Sequence, residues 1–300
     1  MKNNIDHLSP VLEQGEHFFN VNGLTIHCYI RGNGPVLLLP SPGWGPSVNY
    51  IMPLTVLEKY CTVVYFDTRH SGKSTGPQDA SQYGLENFVA DIEHLRIFLK
   101  QEKIFVAGHS GGGHQALAYG IAHNDHLYGI ITIDAIAASD EIRFAEMSQR
   151  IAKKKDEPFY KAHPEYYDRA FELMGSPDMA KMTIKQIIDI TGGFYFYKPE
   201  LAKTVFDSME CNDEVLKYTQ QAGFQSKNLL SELYHITVPT LIISGEDDFM
   251  CDPISQAKRI NENLPASTLV VIDESGHMPW IEQPQAFNSA CERWFDEYFN

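Results

Sequence analysis

The sequence predicts an α/β protein in which a mostly parallel sheet, flanked by helices, is interrupted by a helical insertion. Three observations lead there. Short apolar runs such as VLLL (36–39), CTVVYFD (61–67) and LYGIITIDAI (127–136) read as strands buried on both faces, as parallel strands are. Amphipathic stretches such as GLENFVADIEHLRIFLKQ (84–101) alternate with them, and that rhythm means parallel pairing through right-handed crossovers. From residue 137 to 234 the rhythm stops and the text turns helical and rich in aromatics.

Element by element, FFNVNGLTIHCYI reads as a hairpin, because alternating apolar residues flank Asn22–Gly23, a pair suited to a tight turn. Arg31–Gly32–Asn33–Gly34–Pro35 is a second turn, and SVNYIMPLTVLEKY (47–60) predicts a helix perturbed by Pro53. KIFVAGHS reads as a strand and GGGHQALAYGIAHN as the helix after it. EIRFAEMSQRIAKKK, PFYKAHPEYYDRAFELMG and KQIIDITGGFYFYKPELAKTVFD carry the helical insertion. VPTLIISGEDD (238–248) restores the strand signal, and DPISQAKRINENL follows as a helix. STLVVIDESGH then gives a strand and loop before PQAFNSACERWFDEYF closes the chain as a helix. The division is a core of residues 1–136 and 235–300 around a lobe of 137–234, a size that can fold on its own.

A 43% hydrophobic and 21% charged composition describes an ordered globule. A net charge of −15 and a pI near 5.2 leave no basic face to displace counterions, which excludes nucleic acid as a partner. That acidity also repels anionic substrates and favours neutral or cationic ones. The start, MKNNIDHLSPVLEQGEHFF, has no signal-peptide-like apolar stretch, and no window approaches a membrane span of about 18 apolar residues. Five scattered cysteines (28, 61, 211, 251 and 291) without a CxxC pair predict reduced thiols and a cytoplasmic protein. The oligomeric state is not legible.

The chemistry centres on GHSGGG (108–113). Gly108-His109-Ser110-Gly111-Gly112 matches G-x-S-x-G between a buried strand and a helix. Such a turn strains the serine and lifts its Oγ over the sheet edge. The Gly111 N–H and the helix N-terminus can then stabilise negative charge there. A glycine-rich anion loop is the other reading of the same residues. Serine needs a base, and His277 stands in the loop between the last strand and last helix, at the sheet edge where ligands bind in open α/β folds. A carboxylate to hold the imidazole is offered by Asp247 or Asp248, after the preceding strand. Neither His109/His114 nor His123/His126 belongs to a metal-ligand set, no phosphate loop is present, and no cofactor is called for.

On these residues the chain resembles the α/β-hydrolase superfamily with a cap domain, from about residue 17 to 298. The resemblance implies an eight-stranded, mostly parallel sheet with 137–234 as the helical cap. PTLIISGEDDFMCDP is similar to the family's acid loop, which makes Asp248 the acid, and ESGHMPWIEQP to its histidine loop. The triad implied is Ser110, Asp248 and His277. YFDTRHSGKS (65–74) resembles a D-x-R-G-x-G-x-S loop shared with prolyl iminopeptidases. His70 replaces its first glycine and either borders the cleft or sits on the surface. The family's H-G-x-x-G oxyanion loop reads here as LLLPSPGWGPS, whose alignment makes the Trp44 N–H the donor beside that of Gly111. The Trp44 indole either walls the pocket or packs in the core.

Family members that are dehalogenases or epoxide hydrolases normally carry aspartate at the elbow, so Ser110 implies acyl transfer instead. Prolyl iminopeptidases usually show G-G-S-W-G and H-G-G-P-G, both absent, which places peptidase behind esterase or lactonase. The aromatics of PEYYDRAF and GGFYFYKPE suit a bulky, even cationic ligand such as a macrolide lactone, unless they pack only the cap itself. The substrate expected is thus a small-molecule ester, lactone or amide. A non-hydrolytic triad enzyme or a ligand-binding receptor on this fold are the readings of another class.

Overall fold

A computed structural model describes residues 12–299. The stretch MKNNIDHLSPV, part of the segment read as lacking a leader, lies outside the described residues. Strands β1 (Gly15–Val21) and β2 (Leu24–Gly32) form the predicted hairpin. Asn22 and Gly23 both adopt positive φ, 53° and 76°, as a type I′ turn demands. The sheet continues with β3 (Val36–Pro40), β4 (Thr62–Phe66), β5 (Ile104–His109), β6 (Leu127–Ile133), β7 (Thr240–Gly245) and β8 (Ser267–Ile272). Its eight strands run in the order β1-β2-β4-β3-β5-β6-β7-β8. Pairing is antiparallel from β1 through β2 to β4 and parallel from there on.

Successive strand side chains point to opposite faces, so the unbroken apolar runs fill two cores. Leu37, Leu39, Tyr65 and Phe105 enter one, and Leu38, Val64 and Val106 the other. Helices α1 (Leu85–Phe98) and α2 (Gly111–His123) cover the Leu38 face with Phe88 and Leu117. Six helices stand between β6 and β7: α3 (Glu141–Lys154), α4 (Pro158–Ala162), α5 (Pro164–Met174), α6 (Ile184–Thr191), α7 (Leu201–Phe206) and α8 (Asp213–Gln221). After them come α9 (Lys258–Asn263), α10 (Pro279–Glu282) and α11 (Pro284–Tyr298), the last burying Phe287 and Trp294 on the Leu37 face.

The inserted helices are not sealed off from the sheet. Tyr160, Tyr167, Leu173, Ile190 and Phe194 form a cluster with Phe249 of the β7 loop. Ile184, Ile188 and Phe206 instead join the core on the Leu37 face. The helix expected over 47–60 does not form as one piece. Two 3₁₀ segments, Val48–Ile51 and Thr55–Lys59, flank Pro53, whose missing N–H and bulky ring interrupt a continuous ladder. Among the described residues no helix is long and apolar enough to cross a membrane, and all five cysteines are free thiols.

The topology fixes where a site can sit. The chain leaves β3 toward β4 on one side, and leaves β5 toward β6 on the other. A crevice therefore opens beyond the carboxyl ends of β3 and β5, where open α/β sheets receive ligands. The Ser41–Gly45 loop and Ser110 stand at those two ends.

Candidate active site

Ser110 follows β5 with φ 55° and ψ −118°, a strained conformation for a residue with a Cβ. Its N–H donates to Ile133 O at 2.9 Å, and its own carbonyl accepts from His114 N at 3.2 Å, so strand and helix lock the turn from both sides. The turn explains the glycines. A Cβ on Gly108 would lie 2.1 Å from Gly112 O, one on Gly113 2.4 Å from the Ala135 Cβ, and one on Gly111 2.3 Å from Pro42 O.

His277 is held at three points. Its N–H donates to Tyr195 O at 2.7 Å, its carbonyl accepts from His109 Nε2 at 2.8 Å, and its Nδ1 lies 2.7 Å from Asp248 Oδ2. In the neutral ring, a proton on Nδ1 donated to the carboxylate leaves the lone pair on Nε2. Asp248 is fully buried, and Met250 N donates to its Oδ1 at 2.8 Å. Burial pushes its carboxyl up. The His277 charge and hydrogen bond, with the Met250 and Cys251 N–H groups, outweigh that and hold it below the usual carboxylate range. Asp247 does not reach the imidazole in this way. It is half-buried, its N–H donates to Ser275 O at 2.8 Å, and desolvation raises its carboxyl.

Several neighbours gave no signal in the sequence. The Tyr50 hydroxyl sits 2.8 Å from His109 Nδ1. Since His109 Nε2 must donate to a carbonyl, Nδ1 is the acceptor and the Tyr50 hydroxyl the donor. Burial, then the nearby His277, press the His109 pKa well below its ordinary value, so this ring is neutral. Asp134, at a φ of 44°, accepts from Gly245 N at 2.8 Å. Burial and the adjacent Asp248 charge drive its carboxyl well above the usual range, so of the two carboxyls it is the one that holds a proton more readily. The Cys251 thiol meets the Ser110 hydroxyl, and burial raises it too.

Ligand atoms of His109, Asp134 and His277 lie within 4.8 Å of one another, as do those of Asp248, Cys251 and His277. Several of these atoms already have partners: His109 engages both ring nitrogens, with the Tyr50 hydroxyl and the His277 carbonyl, and His277 Nδ1 engages Asp248 Oδ2.

Ser110, His277 and Trp44 open onto one cavity of about 660 Å³, roofed by the inserted helices. Among the described residues no acceptor takes the Trp44 N–H, and the Gly111 N–H belongs to the first helical turn, where intrahelical partners are missing. Of the aromatics in PEYYDRAF and GGFYFYKPE, Tyr166, Tyr167 and Phe194 pack the insert's own cluster, Phe196 joins the core on the Leu37 face, Phe171 and Tyr197 are exposed, and Tyr195 reaches the cavity. His70 does not line it. It sits at φ 60° between the core and α8, 3.1 Å from the Tyr83 hydroxyl and 3.9 Å from Glu214. Asp67 and Arg69 brace the loop below: Asp67 accepts from Val48 N at 2.6 Å, and Arg69 grips Asp91 with two bonds of 2.8 Å.

Residues 36–290 match the model of the alpha/beta hydrolase family. The chain is 26% identical over 306 residues to a proline iminopeptidase of Saccharolobus solfataricus, covering 96% of this chain and 94% of the relative. Among solved structures it is similar to an enol-lactonase from Burkholderia xenovorans (TM-score 0.66, 21% identity, 93% of this chain and 100% of that one). It is likewise similar to an esterase from Exiguobacterium antarcticum, with TM-score 0.68 and 20% identity over 95% of this chain and 100% of that one.

Proposed function

The chain belongs to the alpha/beta hydrolase family, and from that premise we propose that it is a serine hydrolase of a bulky, largely apolar ester or lactone. The observation that carries the reading is the 2.7 Å contact of His277 Nδ1 with Asp248 Oδ2, beside a strained Ser110 on the same cavity. In the reaction proposed, His277 takes the Ser110 proton as Oγ attacks the carbonyl carbon. The oxyanion gathers the N–H groups of Gly111 and Trp44. Its collapse expels the alcohol, protonated by His277, and leaves an acyl-serine. Water, deprotonated by the same imidazole, then attacks that ester and frees the acid. The reading uses no cofactor.

The lining favours ester or lactone over amine-bearing substrates. Its charged residues besides histidine are Arg143, Asp213 and Lys217, two cations against one anion, and Asp213 already accepts Ile184 N at 2.6 Å. A free amino terminus has little to bind there. The similarity to proline iminopeptidases supports the second reading, removal of an N-terminal proline. Macrocyclic lactones such as macrolides are the largest members of the favoured class, and about 660 Å³ suits a drug-sized body.

Two measurements test this. A fluorophosphonate should label the wild type and not Ser110→Ala; absence of labelling would favour a receptor or binding role. Hydrolysis profiling on p-nitrophenyl esters, lactones including macrolides, and prolyl amides should find turnover in the first two classes. Turnover confined to prolyl amides would give the reading to the peptidase.

A further inference from the structure

The cavity wall carries a buried cation that the protein does not neutralise. Arg143, in the first turn of α3, lines the cavity and is 5% exposed. Its Nε donates to Met250 O at 3.2 Å, its Nη1 to Ser139 Oγ at 3.0 Å, and its Nη2 to the Met250 thioether at 3.2 Å. All three acceptors are uncharged, and a thioether is a weak one. Among the described residues Arg143 makes no ion pair. The acids around it are already committed. Asp140 pairs with Arg259 at 2.7 Å, Asp252 accepts from Ile254 and Ser255 N–H groups, and Asp248 holds His277.

A guanidinium cannot shed its proton to escape burial, and an unpaired buried charge is costly. Of its five N–H groups three are used, which leaves one on each Nη for an anion to take. The place is close to the chemistry, because Met250, held twice by Arg143, is also the residue whose N–H donates to Asp248. Around it the wall is apolar and adaptable: Met174, Met179, Met182 and Met209 with Ile187 and Leu216.

We infer that Arg143 anchors a carboxylate on the substrate, so that the ester or lactone cleaved belongs to an amphipathic acid with a large apolar body. This rests on the serine-hydrolase reading above and deepens it. It also reverses locally what a net charge of −15 suggests globally about anionic substrates.

The test compares matched substrates differing only in that group. On the acyl side these are mono-p-nitrophenyl suberate and the p-nitrophenyl ester of suberic monoamide; on the alcohol side, 4-acetoxybenzoate and 4-acetoxybenzamide. In the wild type at least one acid should exceed its amide in kcat/KM by about 10- to 100-fold, as expected for hydrogen bonds to a charged group. Arg143→Gln should bring that ratio near one, with Arg143→Lys between. A wild-type ratio of one or less in both pairs overturns the inference, as does a ratio unmoved by Arg143→Gln. If Arg143→Gln does not fold, wild-type inhibition decides: octanoate should inhibit at least about tenfold better than octanamide, and equal inhibition overturns the inference. Fluorophosphonate labelling of Ser110, scored first, keeps the outcomes apart. Labelling without a carboxylate preference removes Arg143 from recognition and leaves the hydrolase standing, whereas no labelling sinks the hydrolase itself.

Discussion

His277 Nδ1 lies 2.7 Å from Asp248 Oδ2, and Asp247, the adjacent carboxylate, is held elsewhere through its N–H on Ser275 O. That difference ranks the two acids. Asp248→Asn removes the acceptor that fixes the imidazole tautomer and should lower kcat by about 10³–10⁴-fold. Asp247→Asn should change it less than about tenfold, as a residue without a place in the proton path. Single-turnover rates of both variants decide, and the reverse ranking would overturn the assignment.

Gly111 packs against the Pro42–Trp44 loop with no room for a side chain, since a Cβ there would lie 2.3 Å from Pro42 O. Backbone cannot swing away as a flexible side chain does. Gly111→Ala should therefore push the Pro42–Trp44 segment off and misplace both N–H donors. A fall in kcat of about 10²–10³ is expected, with the melting temperature little changed. Normal turnover by Gly111→Ala would show that the oxyanion is bound elsewhere.

What the sequence made legible was local. The strings around Ser110, Asp248 and His277 are each short and bounded by apolar runs, and the sheet brings them to one edge. Contacts between distant elements have no such period. Tyr50 and His109 meet across 59 residues, Asp134 reaches Gly245 across 111, and Arg143 reaches Met250 across 107. Each looked like an ordinary helix, strand or turn residue. The stretch 47–60 misled for a related reason: its apolar spacing suits a helix, but Pro53 splits it into two 3₁₀ pieces. The cavity wall was invisible because it is drawn from five inserted helices, α3 and α5 to α8, and from loops between distant elements, whose mutual packing no single stretch encodes.

The Tyr50–His109–His277 chain predicts a positioning effect at a distance. Tyr50→Phe deletes the hydroxyl donated to His109 Nδ1, leaving that buried nitrogen unsatisfied, at a cost of about 1–3 kcal/mol. The His109 ring then loses one of the two bonds that fix it, and with it the grip on the His277 carbonyl. We expect kcat to drop by about tenfold, given that displacing a positioned group by 1 Å can cost about 10²-fold. KM should hardly move. A Tyr50→Phe variant that melts lower but turns over at the wild-type rate would make the chain purely structural.

Asp134 predicts an unusual dependence of stability on pH. Its carboxyl is raised by burial and by the Asp248 charge, so the folded chain keeps a proton there that the unfolded chain loses above about pH 4. In the window from there up to the raised folded value the folded state binds more protons, and this group's contribution to stability falls as pH rises. Asp134→Asn keeps the shape and an acceptor for Gly245 N–H, but has no proton to lose. Relative to wild type it should melt higher at pH 8, with the gain shrinking toward pH 4, and should remain active. Asp134→Ala, which strands the Gly245 N–H, should instead melt lower at every pH, by the equivalent of about 1–3 kcal/mol. A gap between Asp134→Asn and wild type that stays constant from pH 4 to 8 would mean that Asp134 carries no extra proton in the folded protein.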